Sequence, residues 1–233
     1  MEYHQSDQEN NLEINGRKEI KFLTYKSFYD PVRVWIKSHN CDFKNIFKKR
    51  QINSIYFDSE TFDSFNENIF GLDNRFKLRM RWYGNKNKIQ KPILECKIKK
   101  NGIGFKINEA LDIKLDLNQI NFEFLKKKFL NLKNKRLQNL FLHRNIPTAL
   151  ICYDREYMLS NCGNIRITID DKIKIFKVKG SNFFIDKNNY DTCVIEFKFN
   201  SNYENIKNIL NNFPIRNFRN SKYINAVRAI NGI

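Results

Sequence analysis

Arg75, Lys77, Arg79 and Arg81 occupy every second position of NRFKLRMRWYG, residues 74–84, with Phe76, Leu78, Met80 and Trp82 between them. Strict alternation is the pattern of a β-strand with one polar and one apolar face. Cations two residues apart on a strand stand roughly 7 Å from each other. At an effective dielectric of about 20, each neighbouring pair repels by roughly 2 kcal/mol, against about 0.6 kcal/mol in bulk water. Such a ladder either faces open solvent or accepts an anion. Arginine dominates it, and the planar guanidinium fork matches phosphate oxygens. Carboxylates recur among cations at the same spacing elsewhere: Glu19 with Lys21, Glu95 with Lys97 and Lys99, Glu196 with Lys198. Cations for phosphate oxygens and carboxylates for a divalent metal are what phosphoryl chemistry asks for.

These residues need strands to hold them on a common face. Residues 17–25, 52–59, 92–100, 149–159, 164–178 and 193–199 read as strands beside the ladder, and NGIGFKINEAL as a turn with a further short extended piece. YDPVRVWIKSHN reads as a helix capped by Asp30 with Pro31 at its first position. ETFDSFNENIFGLDN reads as a connection ending in turn residues. Apolar spacings of three and four predict helices within 118–145 and at about 203–211, and Asn220 or Ser221 is placed to cap a last one. The polar parities then collect Glu19 and Lys21, the ladder, Glu95 and Lys97, Tyr153 and Arg155, Arg166, Thr168 and Asp170, and Glu196 and Lys198. Ile20, Phe22, Leu78, Trp82, Leu94, Ile167, Ile195 and Phe197 take the opposite faces. Many strands with one ionic face predict an α+β fold: an antiparallel β-barrel whose charged faces line a tunnel, with helices packed on the outside.

The bulk properties agree. The chain has 233 residues, 42 Lys and Arg against 25 Asp and Glu, and a formal charge of +17. That balance points to a polyanionic partner, and a hydrophobic fraction of 41% with 21 Phe supports a real core. Residues 1–15 carry acids and amides without Lys or Arg and predict a disordered tail, leaving 16–233 as one domain. The five cysteines include no C-x-x-C pair, which argues against zinc or a disulfide framework and for a reducing, cytoplasmic setting. No secretory signal or membrane-length apolar run is found.

In order along the chain, INSIYFDSETFDSFNENIFGLDNRFKLRMRWYG, LECKIKK, YDREYM, IRITID, VIEFKF and SKY resemble the VTC domain, the catalytic domain of vacuolar transporter chaperone polyphosphate polymerases. That family belongs to the triphosphate tunnel, or CYTH-like, superfamily. The resemblance runs from about residue 17 to 228. It implies transfer of the ATP γ-phosphoryl group onto a growing inorganic polyphosphate chain, with Mn²⁺ or Mg²⁺ as cofactor. It implies catalytic roles for Lys21, Arg79, Arg81, Lys97 and Arg155. Tyr153, Lys106, Ser221 and Lys222 are implied to bind substrate, and Glu196 to bind metal. Strand parity adds Arg75, Lys77, Arg166 and Lys198 to the substrate set, and Glu19 and Glu95 complete the expected metal set.

One position departs from the superfamily. Hydrolytic members open on E-x-E-x-K, whereas this chain reads Arg17-Lys18-Glu19-Ile20-Lys21. Loss of the first carboxylate disfavours a two-metal hydrolase or cyclase and fits the polymerase branch. A triphosphatase or polyphosphatase on the same barrel, and a non-catalytic polyphosphate or nucleotide sensor, are the competing readings. Nucleic acid is not expected as a partner, because Phe76, Trp82 and Phe197 lie opposite the cations rather than among them. ATP and polyphosphate are the expected partners. Any membrane association would come through a separate protein.

Overall fold

The computed structural model describes residues 17–101, 103–180, 182–185, 191–200 and 206–232. The tail expected over 1–15, and the start of the helix expected near 203, lie outside them. The strands are β1 (Arg17–Tyr25), β2 (Lys44–Asp58), β3 (Arg75–Tyr83), β4 (Lys88–Gln90), β5 (Ile93–Lys100), β6 (Ile103–Ala110), β7 (Lys114–Asp116), β8 (Ile146–Leu159), β9 (Ile165–Lys179), β10 (Asn182–Ile185) and β11 (Thr192–Asn200). The helices are α1 (Tyr29–Ser38), α2 (Asp63–Ile69), α3 (Phe122–Phe129), α4 (Lys135–His143), α5 (Ile206–Leu210) and α6 (Lys222–Asn231).

One antiparallel sheet dominates, in the order β1-β11-β9-β8-β2-β3-β5-β6, with β10 paired to β9; β4 and β7 form a small separate ribbon. The sheet curls into a half-barrel. The β1 and β6 edges do not pair through their backbones among the described residues. Side chains span the gap instead: Lys97 on β5 donates to Glu19 on β1 at 3.1 Å.

The alternation in β3 becomes two environments. Leu78, Met80 and Trp82 are fully buried behind the ladder. They pack with Leu94 and Cys96 of β5, Ile55 and Phe57 of β2, and Leu125, Phe129, Leu137 and Phe141 of α3 and α4. Phe57, Phe129 and Phe141 meet edge to face, with centroids 4.9 to 5.8 Å apart. On the same outer side farther round, Phe22, Ile167, Ile195 and Phe197 pack against Val32 and Ile36 of α1 and Ile206 of α5. Helices therefore cover the apolar outer face as the alternation requires, since each such side chain gains about 1.5–3 kcal/mol on full burial.

Three local expectations change. The first helix starts at Tyr29 after a 3₁₀ turn, so Asp30 lies inside its first turn and is not the cap; Phe28 is, without a side-chain hydrogen bond. Asp30 still places its charge at the positive end of the helix. The 60s connection contains α2, too short to show periodicity. Asp58 builds it by accepting from the backbone N–H of Ser64 at 2.8 Å and of Phe65 at 3.3 Å. Strand β2 begins at Lys44, eight residues before the apolar run, because its first half pairs with β8 while largely exposed.

Helix α6 takes a seat that periodicity alone does not reveal. Its Tyr223, Ile224, Ala226 and Val227 pack on Ile52, Tyr56, Ala149, Ile151 and Ile175. Tyr56 stands opposite Arg79 across the β2–β3 ladder and Ile52 opposite Tyr83. Directly opposed residues share a face, so α6 lies on the ladder side of the sheet. Ser221 caps it, its hydroxyl accepting from the Ile224 N–H, which confirms that one of the two expected capping positions.

Candidate functional site: a basic lumen closed by a helix N-terminus

Each rung of the ladder meets a different partner. Arg81 and Arg79 share one carboxylate: Glu95 Oε1 is 2.5 Å from Arg79 Nε and 3.2 Å from Arg81 Nη1. Strand register explains this, since Arg79 is directly opposite Glu95. Lys106 reaches the other oxygen of Glu95 at 3.5 Å. Burial acts to raise the Glu95 carboxyl, but Arg79 and Arg81 outweigh it and bring it down to about 2. Arg79 also donates to the Tyr56 hydroxyl at 2.9 Å. Lys77 forms no ion pair among the described residues, and its amine donates to Ser221 Oγ at 3.0 Å. Burial is the main cause that pulls Lys77 down to about 7, and Lys21, Lys97, Arg75 and Arg79 add to it. Arg75 turns to the Leu72 carbonyl beside α2.

The far wall carries two carboxylate centres. Glu19 and Glu196 lie on adjacent strands and share Lys21 as a neighbour. Lys21 sits 3.2 Å from Glu19 and 3.8 Å from Glu196; Lys97 holds Glu19, and Lys198 holds Glu196 at 3.6 Å. Burial opposes ionisation of Glu19, yet the Glu196 carboxyl beside it, Lys21 and Lys97 keep it well below the usual carboxylate range. The same two acids raise the Lys21 amine against burial, whereas burial lowers that of Lys198.

The second centre is Asp170, 1% exposed. Arg155 grips it with Nε at 2.5 Å and Nη2 at 2.7 Å, and Lys222 reaches it from the first residue of α6 at 2.5 Å. Burial works against this carboxylate, but Lys222 and Arg155 keep it below its ordinary value. Both cations also lie over the Tyr153 ring, at 5.2 and 4.8 Å. Lys21 donates to the Asn220 carbonyl at 3.3 Å, so the residues entering α6 contact three separate parts of the lumen. The positive end of the helix dipole adds to the field of the lysines there.

The residues expected from the sequence therefore converge, with two corrections. Glu95 is the counter-ion of Arg79, Arg81 and Lys106, and it forms no cluster of three acids with Glu19 and Glu196 among the described residues. Arg166 pairs in register with Lys198 but is exposed at the rim. Tyr56 and Asn220 were not foreseen as part of the site, and Asp170 was placed on the lining face by parity without a role in it. Asp170 shares the parity of Thr168, but nothing in sequence shows that its partners are Arg155 and Lys222.

No three metal-ligating side chains cluster among the described residues. Glu19 and Glu196 still fit a hard divalent cation, because Mg²⁺ is ordinarily held by one or two carboxylates together with substrate phosphates. The lumen also leaves polar atoms unanswered. Arg81 Nε, Ser54 Oγ, Thr168 Oγ1 and Asn220 Nδ2 are buried with no hydrogen-bond partner among the described residues. Ser54 faces Arg81 and Thr168 faces Glu196, so the unpaired groups belong to the same wall as the cations. Buried polar groups are rarely left this way, and each one calls for a partner.

Solved structures with a similar course of the chain include an adenylate cyclase-like protein of Vibrio parahaemolyticus, described as putative (11% identity, 89% of this chain and 95% of that one, TM-score 0.48). A protein of Pyrococcus horikoshii OT3 aligns at 13% identity, 90% and 98% coverage and TM-score 0.45. The Schizosaccharomyces pombe Mediator head module aligns at 7%, 86% and 96%, with TM-score 0.47. No curated protein sequence matches the chain. The model of the VTC domain family matches residues 16–231. With nearly its whole length covered, the chain belongs to the VTC domain family.

Proposed function

We propose that this domain is a metal-dependent polyphosphate polymerase that moves the γ-phosphoryl group of ATP onto the end of an inorganic polyphosphate chain. Family membership supports a nucleotide- or polyphosphate-related function. The observation that carries the finer reading is the lumen itself: cations that outnumber their carboxylates, beside buried donors without partners. An oligophosphate answers both, since it brings charge and many acceptor oxygens in a line.

Arg79 and Arg81, fixed by Glu95, would hold the phosphates of the nucleotide. Lys77 and Lys21 would neutralise the next phosphates along, and Arg155 and Lys222, both anchored on Asp170, would close on the reacting group from the opposite wall. Glu19 and Glu196 would hold the divalent cation, which supplies charge neutralisation at the phosphate oxygens. In the transfer, a terminal oxygen of the acceptor chain forms a bond to the γ-phosphorus. The bond from that phosphorus to the β,γ-bridging oxygen breaks, and ADP leaves with the electron pair. No protein nucleophile is needed, because such transfer depends on positioning and charge stabilisation.

The test is incubation of the protein with ATP and Mn²⁺, resolved on a gel stained for polyphosphate, with ADP followed in parallel. A ladder of long anionic product is expected. Glu196→Gln should lose product and shift the metal titration to higher concentration. ADP with free phosphate and no polymer would transfer the assignment to a hydrolase. An unchanged metal titration in Glu196→Gln would remove Glu196 from the metal site.

A further inference from the structure

The ladder does not end in a charge. Tyr83 follows Arg81 at the same parity and is 41% exposed at the last position of β3. Beside it, Arg50 of β2 lies 4.8 Å from the centroid of Tyr83, 4.8 Å from that of Tyr157 and 5.2 Å from that of Phe47. Arg50 Nε also donates to the Tyr157 hydroxyl at 3.2 Å, and Tyr157 meets Phe47 edge to face at 5.6 Å. Phe47 is 56% exposed. Arg50 makes no ion pair among the described residues, and the residue opposite it across the sheet is Arg155, another cation. This mouth thus joins an uncompensated guanidinium to exposed aromatic rings, and it lies in line with the phosphate-type ladder. The outer-face aromatics Trp82 and Phe197 have no such access.

Resting on the reading that the lumen takes an oligophosphate, we propose that Tyr83, held in place by Arg50, is the stacking platform for the nucleobase of the nucleoside triphosphate. A base presents a flat π-surface that stacks on an aromatic ring and on a guanidinium plane. Tyr83 stands one rung, roughly 7 Å, beyond Arg81, a separation that a ribose bridges. The platform also gives the reaction a direction. With the base at Tyr83, the triphosphate runs along Arg81 and Arg79 towards Lys77, so the γ-phosphate points away from the platform. Inorganic tripolyphosphate has no base and gains nothing from the platform.

Titration calorimetry on the full chain, with β,γ-imido-ATP and inorganic tripolyphosphate as separate probes, tests this. Tyr83→Ala should weaken the nucleotide by about ten-fold, the worth of one stacked base, and leave tripolyphosphate unchanged. Tyr83→Phe keeps the ring and should match the wild type. Equal losses for both probes, or no loss for either, overturns the platform. The polymerase assignment fails separately. If the wild type binds nucleotide through Tyr83 yet makes no polymer, the platform stands and the polymerase falls. If Tyr83→Ala forms polymer with an unchanged KM for ATP, the platform falls and the polymerase stands. Binding of neither probe by the wild type overturns both.

Discussion

Two arginine clusters use the same chemistry for opposite ends. At the base of the half-barrel, Arg144 is surrounded by acids: Asp58 at 3.4 Å, Asp63 at 2.8 Å and Glu67 at 2.6 Å. It also donates to Ser64 Oγ at 3.3 Å, and Tyr223 of α6 donates to the same Asp58. One cation here meets several carboxylates, and the cluster ties β2, α2, the end of α4 and α6 together. In the lumen the ratio inverts. Among the described residues Glu95 alone answers Arg79, Arg81 and Lys106, and Lys77 forms no ion pair. A saturated arginine is a fastening, while an unsaturated set stores attraction for a ligand. The comparison separates structure from function without any bound molecule.

The largest effect expected from breaking it is on stability. Arg144→Met leaves Asp58, which is 0% exposed, without its cation. Removing one partner of a buried pair costs about 3–5 kcal/mol, so the urea midpoint should fall sharply. Tripolyphosphate affinity should remain near wild type in whatever fraction stays folded. A lossless Arg144→Met would mean that the cluster is not a fastening.

Arg81→Ala should behave in the opposite way. Glu95 keeps Arg79 and Lys106, and one like-charge repulsion disappears, so stability should change by less than about 1 kcal/mol. A charge-assisted hydrogen bond is worth about 1.5–3 kcal/mol, so tripolyphosphate affinity should fall by roughly ten- to a hundred-fold, and polymer formation with it. Arg155→Ala sharpens the contrast because it is expected to do both: it removes a proposed phosphate ligand and leaves Asp170 with Lys222. Wild-type turnover in both variants would refute the lumen assignment.

The smallest effect is a pH dependence. In the free domain the Lys77 amine loses its proton near pH 7. A phosphate alongside favours the ammonium, so binding is strongest below about 7 and weakens as pH rises through that value, with proton uptake on binding above it. Stability of the free chain runs the other way. The unfolded lysine holds its proton up to its ordinary value of 10.5, so folding becomes more favourable as pH rises from about 7 towards that value. Calorimetry in buffers of different ionisation enthalpy should detect the uptake in the wild type and lose it in Lys77→Arg. Identical heats in all buffers would show that Lys77 is already charged.

The sequence by itself determined which side chains face which way. A strand repeats every two residues, so the faces of β1, β3, β5 and β11 follow from alternation alone, and with them the cations, Glu19 and Glu196. It also located α3, α4 and the Ser221 cap, where spacing and cap chemistry are local. It did not determine which acid meets which cation. Glu95 was grouped with the metal ligands because parity records a face, not the distance to the next strand's arginines. The Arg144 cluster stayed hidden because its members are scattered from Asp58 to Tyr223. The seat of α6 was likewise decided only in three dimensions, for an apolar stripe does not say which apolar surface it covers. Lys77 to Ser221, Lys97 to Glu19 and Lys222 to Asp170 exist because the sheet curls far enough to bring distant strands and the last helix together. Curl and register come from packing summed over the whole sheet, and no short stretch of sequence contains that sum.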